Sequence, residues 1–187
     1  MLFEGEYLNG KRNGNGKEYH FGDLIFEGEY LNGKRWNGKL FDYYDTLIYE
    51  VEVLNGEIQG KGKEYFKNGK LSFEGEYLNG KRNGNGKEYN KGKLKFEGEY
   101  LNGKRNGKGK EYDNENKLIF EGEYLFGEKH GKAKEFENGK IIFEGEYLFG
   151  KRKNEIEKEI DLTKSELEKN KNNVNNELII TCACIIE

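Results

Sequence analysis

Apolar positions in this chain are sparse, mostly aromatic or leucine, and return at fixed intervals among glycines and charges. The segment Phe3–Tyr19 reads FEGEYLNGKRNGNGKEY, and Phe73–Tyr89 repeats it residue for residue. With the aromatic of the Phe-Glu-Gly-Glu-Tyr word as marker, copies begin at Phe3, Phe26, Tyr49, Phe73, Phe96, Phe120 and Phe143, spaced by 23 or 24 residues. A period of this size means a linear array whose units pack only on their neighbours. Within a unit, Asn9-Gly10 lies between two aromatic-bearing runs, and Asn-Gly is the strongest short signal for a two-residue hairpin turn. That turn predicts Leu8 opposite Lys11, Tyr7 opposite Arg12, Gly5 opposite Gly14 and Phe3 opposite Gly16. One face then carries Phe3, Gly5, Tyr7, Gly14 and Gly16, with the rings laid over glycines of the same or the adjoining unit.

A second turn, as in Lys67-Asn68-Gly69-Lys70 and Glu137-Asn138-Gly139-Lys140, joins unit to unit and absorbs the one-residue variation in period. The expected fold is an all-β repeat: an elongated, single-layer array of antiparallel β-hairpins over residues 3–153, about 65 Å long at two strands per unit. Two units depart from the pattern. Trp36 precedes a shortened Asn37-Gly38-Lys39, and Val51 stands where Gly5 would be; both are expected to refill the face with bulk. In the seventh unit Asn154 and Ile156 replace two glycines, and Ile156, Ile160 and Leu167 take up helical spacing. This predicts a short C-terminal helix over 154–170 that caps the open sheet. The remainder, 171–187, is expected to be a flexible tail with linker-like Lys171–Asn176.

Composition changes the picture only in part. Hydrophobic residues make up 34% and charged residues 36%, a balance typical of disorder, but 13 Tyr and 12 Phe at fixed places among 27 Gly demand order without a thick core. Acidic and basic residues nearly cancel, 35 against 32, so no nucleic-acid surface is indicated. The repeat begins at Phe3 without an apolar leader, residues 178–186 are too short to span a bilayer, and the two cysteines, Cys182 and Cys184, give the repeats no disulfide framework. A cytoplasmic protein is expected, with peripheral membrane association through its surface or tail.

The pattern of an aromatic followed by Gly at +2, +7, +11 and +13 resembles the MORN (membrane occupation and recognition nexus) repeat. Phe3, Gly5, Gly10, Gly14 and Gly16 match it fully, as do the units begun by Phe73 and Phe96. Phe120, Gly122, Gly127 and Gly131 match with Ala133 in the last place, and the second, third and seventh units match less well. The linking phrase Asn-Gly-Lys-Leu is also similar to a variant of this repeat in bacterial proteins labelled antitoxin components. The resemblance implies a non-catalytic module, found elsewhere beside catalytic domains, in membrane-bridging proteins and as free-standing scaffolds.

Chemistry-bearing residues are few. Two Ser, two His and two Cys form no shared constellation, and the many Gly-Lys pairs are never followed by Ser or Thr as a phosphate loop requires. His20 and His130 occupy different places in their units, and His130 is read as turn chemistry. The recurrent Glu4/Glu6 pairs read as a solvated face that cannot set two carboxyl pKa values apart. No enzyme, cofactor or metal site is expected. The candidate contact residues are Lys11-Arg12, Lys34-Arg35, Lys81-Arg82 and Lys104-Arg105, a basic row suited to an anionic membrane surface or an acidic partner. The terminal Cys184-Ile185-Ile186-Glu187 resembles a prenylation box, with Cys182 nearby as a second acylation candidate. The expected function is a scaffold for protein partners, with an antitoxin-like inhibitor of a single protein as the alternative. Dimerisation through an exposed strand edge is a further expectation.

Overall fold

The computed structural model describes residues 1–42, 46–54 and 57–183, with side chains through 169. Fourteen strands form one antiparallel sheet in strict sequence order. They are β1 (Leu2–Leu8), β2 (Lys11–His20), β3 (Asp23–Leu31), β4 (Lys34–Phe41), β5 (Leu47–Leu54), β6 (Glu57–Tyr65) and β7 (Leu71–Leu78), then β8 (Lys81–Asn90), β9 (Lys93–Leu101), β10 (Lys104–Tyr112), β11 (Leu118–Leu125), β12 (Glu128–Glu137), β13 (Lys140–Leu148) and β14 (Lys151–Arg152). A helix, α1 (Lys153–Ala183), follows. The hairpin turns form as expected, with Asn9 at φ 51° and Gly10 at φ 74°, both left-handed as this two-residue turn requires.

The register differs from the expectation. Leu8↔Lys11 and Tyr7↔Arg12 hold, but Gly5 pairs with Gly16 and Phe3 with Glu18. Asn13, Gly14 and Asn15 bulge opposite Glu6, and Gly14 takes φ 76°. The Asn15 N–H donates to the Glu6 carboxylate at 3.0 Å, so the bulge has a fixed acceptor. The same device recurs where the Lys108 N–H donates to Glu99 at 3.2 Å. A slip of two residues preserves side-chain parity, so the ring face keeps Phe3, Gly5, Tyr7 and Gly16; Gly14 leaves it for the bulge, while Arg12 and Glu18 stand on it.

The core is one ring thick. Phe26, Phe73, Phe96 and Phe120 are at most 1% exposed, although no second layer covers them. Each ring lies down over the glycines. A Cβ built on Gly98 would come within 2.8 Å of Phe96 Cζ, and one on Gly109 within 2.5 Å of the same ring. Phe73, Phe96 and Phe120 each meet two tyrosines edge to face: Phe96 contacts Tyr100 of its own unit at 5.7 Å and Tyr124 of the next at 5.2 Å. Val51 and Val53 are buried in the third unit and refill the face as expected. Trp36 does not; it is the bulged residue of the second unit and stays 45% exposed.

The helix is present but longer than 154–170. It takes in Lys171–Asn176 and runs to Ala183, which corrects the expectation of a flexible tail over that stretch. No Gly or Pro follows Gly150, so nothing in the chain stops the helix where the apolar spacing ends. Its first turns are tied down by Lys151–Glu159 at 3.2 Å and Lys153–Glu146 at 2.8 Å. Ile160 and Leu167 remain exposed, so the expected apolar cap over the sheet is not made by them.

Candidate functional site

The two faces of the sheet do different work. On the ring face six of the seven units stack a cation on their phenylalanine. Arg12 lies 4.3 Å from the Phe3 centroid, Arg82 4.1 Å from Phe73 and Arg105 4.0 Å from Phe96, while in the sixth unit Lys129 takes this place 3.9 Å from Phe120. In the first, fourth and fifth units a glutamate from the second strand then joins its own unit's cation to the next one. Glu18 pairs with both Arg12 and Arg35. Glu88 lies 3.7 Å from Arg82 and 2.6 Å from Arg105, and Glu111 lies 2.9 Å from Arg105 and 3.0 Å from Lys129. Tyrosine hydroxyls close the network, Tyr77 donating to Glu64 at 2.7 Å and Tyr100 to Glu88 at 2.6 Å. The Tyr30 and Tyr124 hydroxyls are buried, and burial and then the Glu18 and Glu111 carboxylates beside them raise them.

This ladder perturbs ionisation in a consistent way. Burial, and then the adjoining Glu64 and Glu88 carboxylates, raise the Tyr77 and Tyr100 hydroxyls. Burial alone would raise the Glu88 carboxyl, but hydrogen bonds from Arg105 and Tyr100 and the charges of Arg105 and Arg82 outweigh it and hold Glu88 below its ordinary value. On the other face, burial followed by hydrogen bonding to Glu50, Glu74 and Glu97 pushes Tyr65, Tyr89 and Tyr112 up to about 12.

The ladder is interrupted once, and both halves of the missing pair are absent together. Leu40, opposite Tyr49, holds the register place of Glu18, and Ile58, opposite Val53, holds the place of an arginine. Anion and cation are therefore lost as neighbours, leaving an apolar seam with Val51 and Val53 and no stranded charge. Leu40→Glu and Ile58→Arg are each expected to destabilise the protein, and the double variant to recover a coupling of about 1–3 kcal/mol in a thermodynamic cycle. Additive effects in urea unfolding would contradict the equivalence of these positions to the ladder.

The basic row expected from sequence is thus divided. Arg12, Arg35, Arg82 and Arg105 are half-buried over rings and engaged by carboxylates, which corrects their placement on an open edge, whereas Lys11, Lys34, Lys81 and Lys104 are exposed at the hairpin tips. Cys184 lies outside the described residues, and for Cys182 only the backbone, within α1, is described. His20 packs on Phe21 at 4.4 Å and His130 on Phe149 at 4.9 Å, far apart in the array. Among the described residues no group of three or more His, Cys, Asp or Glu could hold a metal. No described helix is long and apolar enough to cross a membrane.

The opposite face forms a continuous trough of about 1740 Å³ running from β4 to β13. Its floor is the backbone of the ladder formed mostly by glycines, whose side-chain direction is the ring face, so that nothing projects from these positions into the trough. Each strand crosses the trough as a small or apolar residue, glycine except for Val51 on β5 and Ala133 on β12, flanked by two polar residues: Glu74 and Glu76 on β7, Glu97 and Glu99 on β9, Lys108 and Lys110 on β10, Glu121 and Glu123 on β11. Acidic and basic crossbars thus alternate at about 4.8 Å. Ion pairs such as Lys110–Glu121 at 3.4 Å and Lys134–Glu144 at 3.1 Å run along one wall, each too exposed to add much stability. Sequence reasoning took these carboxylates for an ordinary solvated face. The signal for the trough was their recurrence on both sides of each glycine.

A single-layer hairpin array with structural side-chain chemistry on one face and a long polar trough on the other defines an interaction-repeat protein. Five stretches, residues 3–20, 49–70, 73–93, 96–116 and 120–141, match the family model described as MORN repeat. Together they cover more than half of the chain, and the protein belongs to the MORN-repeat family. The second and seventh copies, those with Trp36 and with the helix in place of late glycines, fall outside the matched stretches. No curated protein matches the chain by sequence.

Proposed function

We propose that this protein is a non-catalytic scaffold that holds a polypeptide partner along its trough. The observation that supports this is the unbroken trough across ten strands, with backbone open at every glycine and alternating charges on its walls. Such a surface offers main-chain approach along its length and charge pairs that set register. The inhibitor-type alternative draws on the same continuity, because one uninterrupted trough suits one long partner in fixed stoichiometry. A photo-crosslinking residue at Lys87 or Lys110, both trough positions, should yield protein adducts in the native host, whereas one at exposed Glu115 should not. A single adduct mass indicates the inhibitor and several indicate the scaffold. Equal labelling from Glu115, or none from the trough, would overturn the reading.

A further inference from the structure

Asn-Gly is the turn this chain reuses most, and it is also a dipeptide that can react with itself. With no Cβ on the glycine to hinder it, the glycine nitrogen can close on the side-chain carbonyl carbon of the asparagine. That closure needs a free N–H, because the nitrogen must shed its proton and swing towards the side chain. A nitrogen held as a hydrogen-bond donor does neither without first breaking its bond.

Six exposed Asn-Gly turns lie along the two long sides of the sheet: Asn9-Gly10, Asn32-Gly33, Asn79-Gly80 and Asn102-Gly103 within hairpins, Asn68-Gly69 and Asn138-Gly139 between them. Exposure does not separate them, but the glycine N–H does. In three hairpin tips it is tied to the preceding unit: Gly33 donates to the Arg12 carbonyl at 2.8 Å, Gly80 to Ile58 at 2.9 Å and Gly103 to Arg82 at 2.8 Å. Gly69 donates to the Phe66 carbonyl at 2.8 Å within its own turn. The Gly10 and Gly139 N–H groups have no acceptor among the described residues. At Gly10 the reason is topological, since β1 pairs with β2 alone and no carbonyl of another hairpin lies beside the tip. At Gly139 the ladder closes at Glu137↔Lys140 and leaves the turn glycine outside it. Asn9 and Asn79 form a matched pair: the stretches Phe3–Tyr19 and Phe73–Tyr89 are identical, and the two turns have φ 51° and 74° against 51° and 73°. The tie to the preceding hairpin separates them.

We propose that Asn9 and Asn138 are sites of spontaneous covalent modification, each cyclising to a succinimide that water opens to an aspartyl or isoaspartyl residue. The Gly10 or Gly139 nitrogen loses its proton and bonds to the asparagine Cγ, the Cγ–Nδ2 bond breaks and ammonia leaves. Water then adds to either ring carbonyl and opens the ring. Both products add a negative charge. The isoaspartyl form also lengthens the main chain by one carbon in a turn closed over two residues, which loosens Leu8↔Lys11 at the edge of the sheet and Glu137↔Lys140 inside it. Both turns lie at the margins of the sheet, apart from the trough, so the proposal does not depend on the partner-binding reading.

The test incubates the full folded chain in mildly alkaline buffer beside a sample unfolded in guanidinium chloride, and follows each asparagine by peptide mass spectrometry. Cleavage after lysine places the four Leu-Asn-Gly tips in peptides of different sequence, and cleavage after glutamate separates Asn68 from Asn138. Unfolded, Asn9 and Asn79 should react alike, since their neighbours are the same. Folded, Asn9 should react about fivefold faster than Asn79 or more, the factor that one net hydrogen bond represents. Asn138 should exceed Asn68 by a similar factor once each rate is divided by its unfolded value. This interior pair distinguishes the missing tie from fraying of the edge hairpin. Equal folded rates within either pair, or an Asn9 lead of the same size in the unfolded chain, would overturn the proposal.

Discussion

Truncating Phe96 to alanine should cost about 3–5 kcal/mol in urea unfolding, among the largest losses any single side chain here can produce. The ring is fully buried although the sheet is one layer thick, because it lies on Gly98 and Gly109 and is covered by Arg105, Tyr100 and Tyr124. Removing it strips the support from a guanidinium and from the edge-to-face contact that joins the fifth unit to the sixth. In a linear array that contact is part of the nearest-neighbour coupling, so the transition should also broaden as the two sides unfold less cooperatively. Phe3 provides the control. It stacks with Tyr7, Tyr30 and Arg12, but Tyr7, on the edge strand β1, is 60% exposed where Tyr30, Tyr77 and Tyr100 are 3–5% exposed. Phe3→Ala should therefore cost clearly less, and equal losses at the two positions would refute the account of interlocked units.

The second large effect is expected at Glu18. The residue is 4% exposed and its carboxylate is the shared partner of Arg12 and Arg35, neither of which has another carboxylate partner among the described residues. Glu18→Ala leaves two half-buried guanidiniums unpaired and should cost about 3–5 kcal/mol. Glu88→Ala should cost less, because Arg82 retains Glu64 and Arg105 retains Glu111. Thermal denaturation of the two variants at neutral pH decides between this order and its reverse. The ladder also predicts acid sensitivity. Glu88 has a folded value below its ordinary one, so its contribution is present above the ordinary carboxylate range and is lost as pH falls through the lower folded value. A Tm that falls over that window in the parent, and falls less in Glu88→Gln, is the expected outcome.

Much of the fold was legible in the residues themselves. Seven units, hairpins turning at Asn-Gly and rings over glycines followed from the 23–24-residue period and from the left-handed backbone that Asn-Gly accepts. Register was not, because Gly14 looks like a strand glycine in a linear reading and serves as the hinge of a bulge held by Glu6. Trp36 was misjudged for the same reason: the residue in a bulge is expelled from the face its sequence parity suggests. The helix end was misjudged because apolar spacing marks where a helix packs and only a breaker marks where it stops.

What the sequence determined by itself was local and periodic: turn type, unit length and the alternation of faces. What only the tertiary structure decided was which charges are spent. Arg12 and Lys11 are adjacent in the chain and alike in sequence, yet one is locked over a ring between strands and the other stands in water. That division arises from contacts between residues 6 to 18 positions apart, such as Arg12–Glu18 across the bulge within β2 and Arg105–Glu88, the latter existing only once neighbouring units are laid side by side. The trough has the same origin, since a glycine becomes a floor only when the strands on either side place their carboxylates and ammonium groups along its walls.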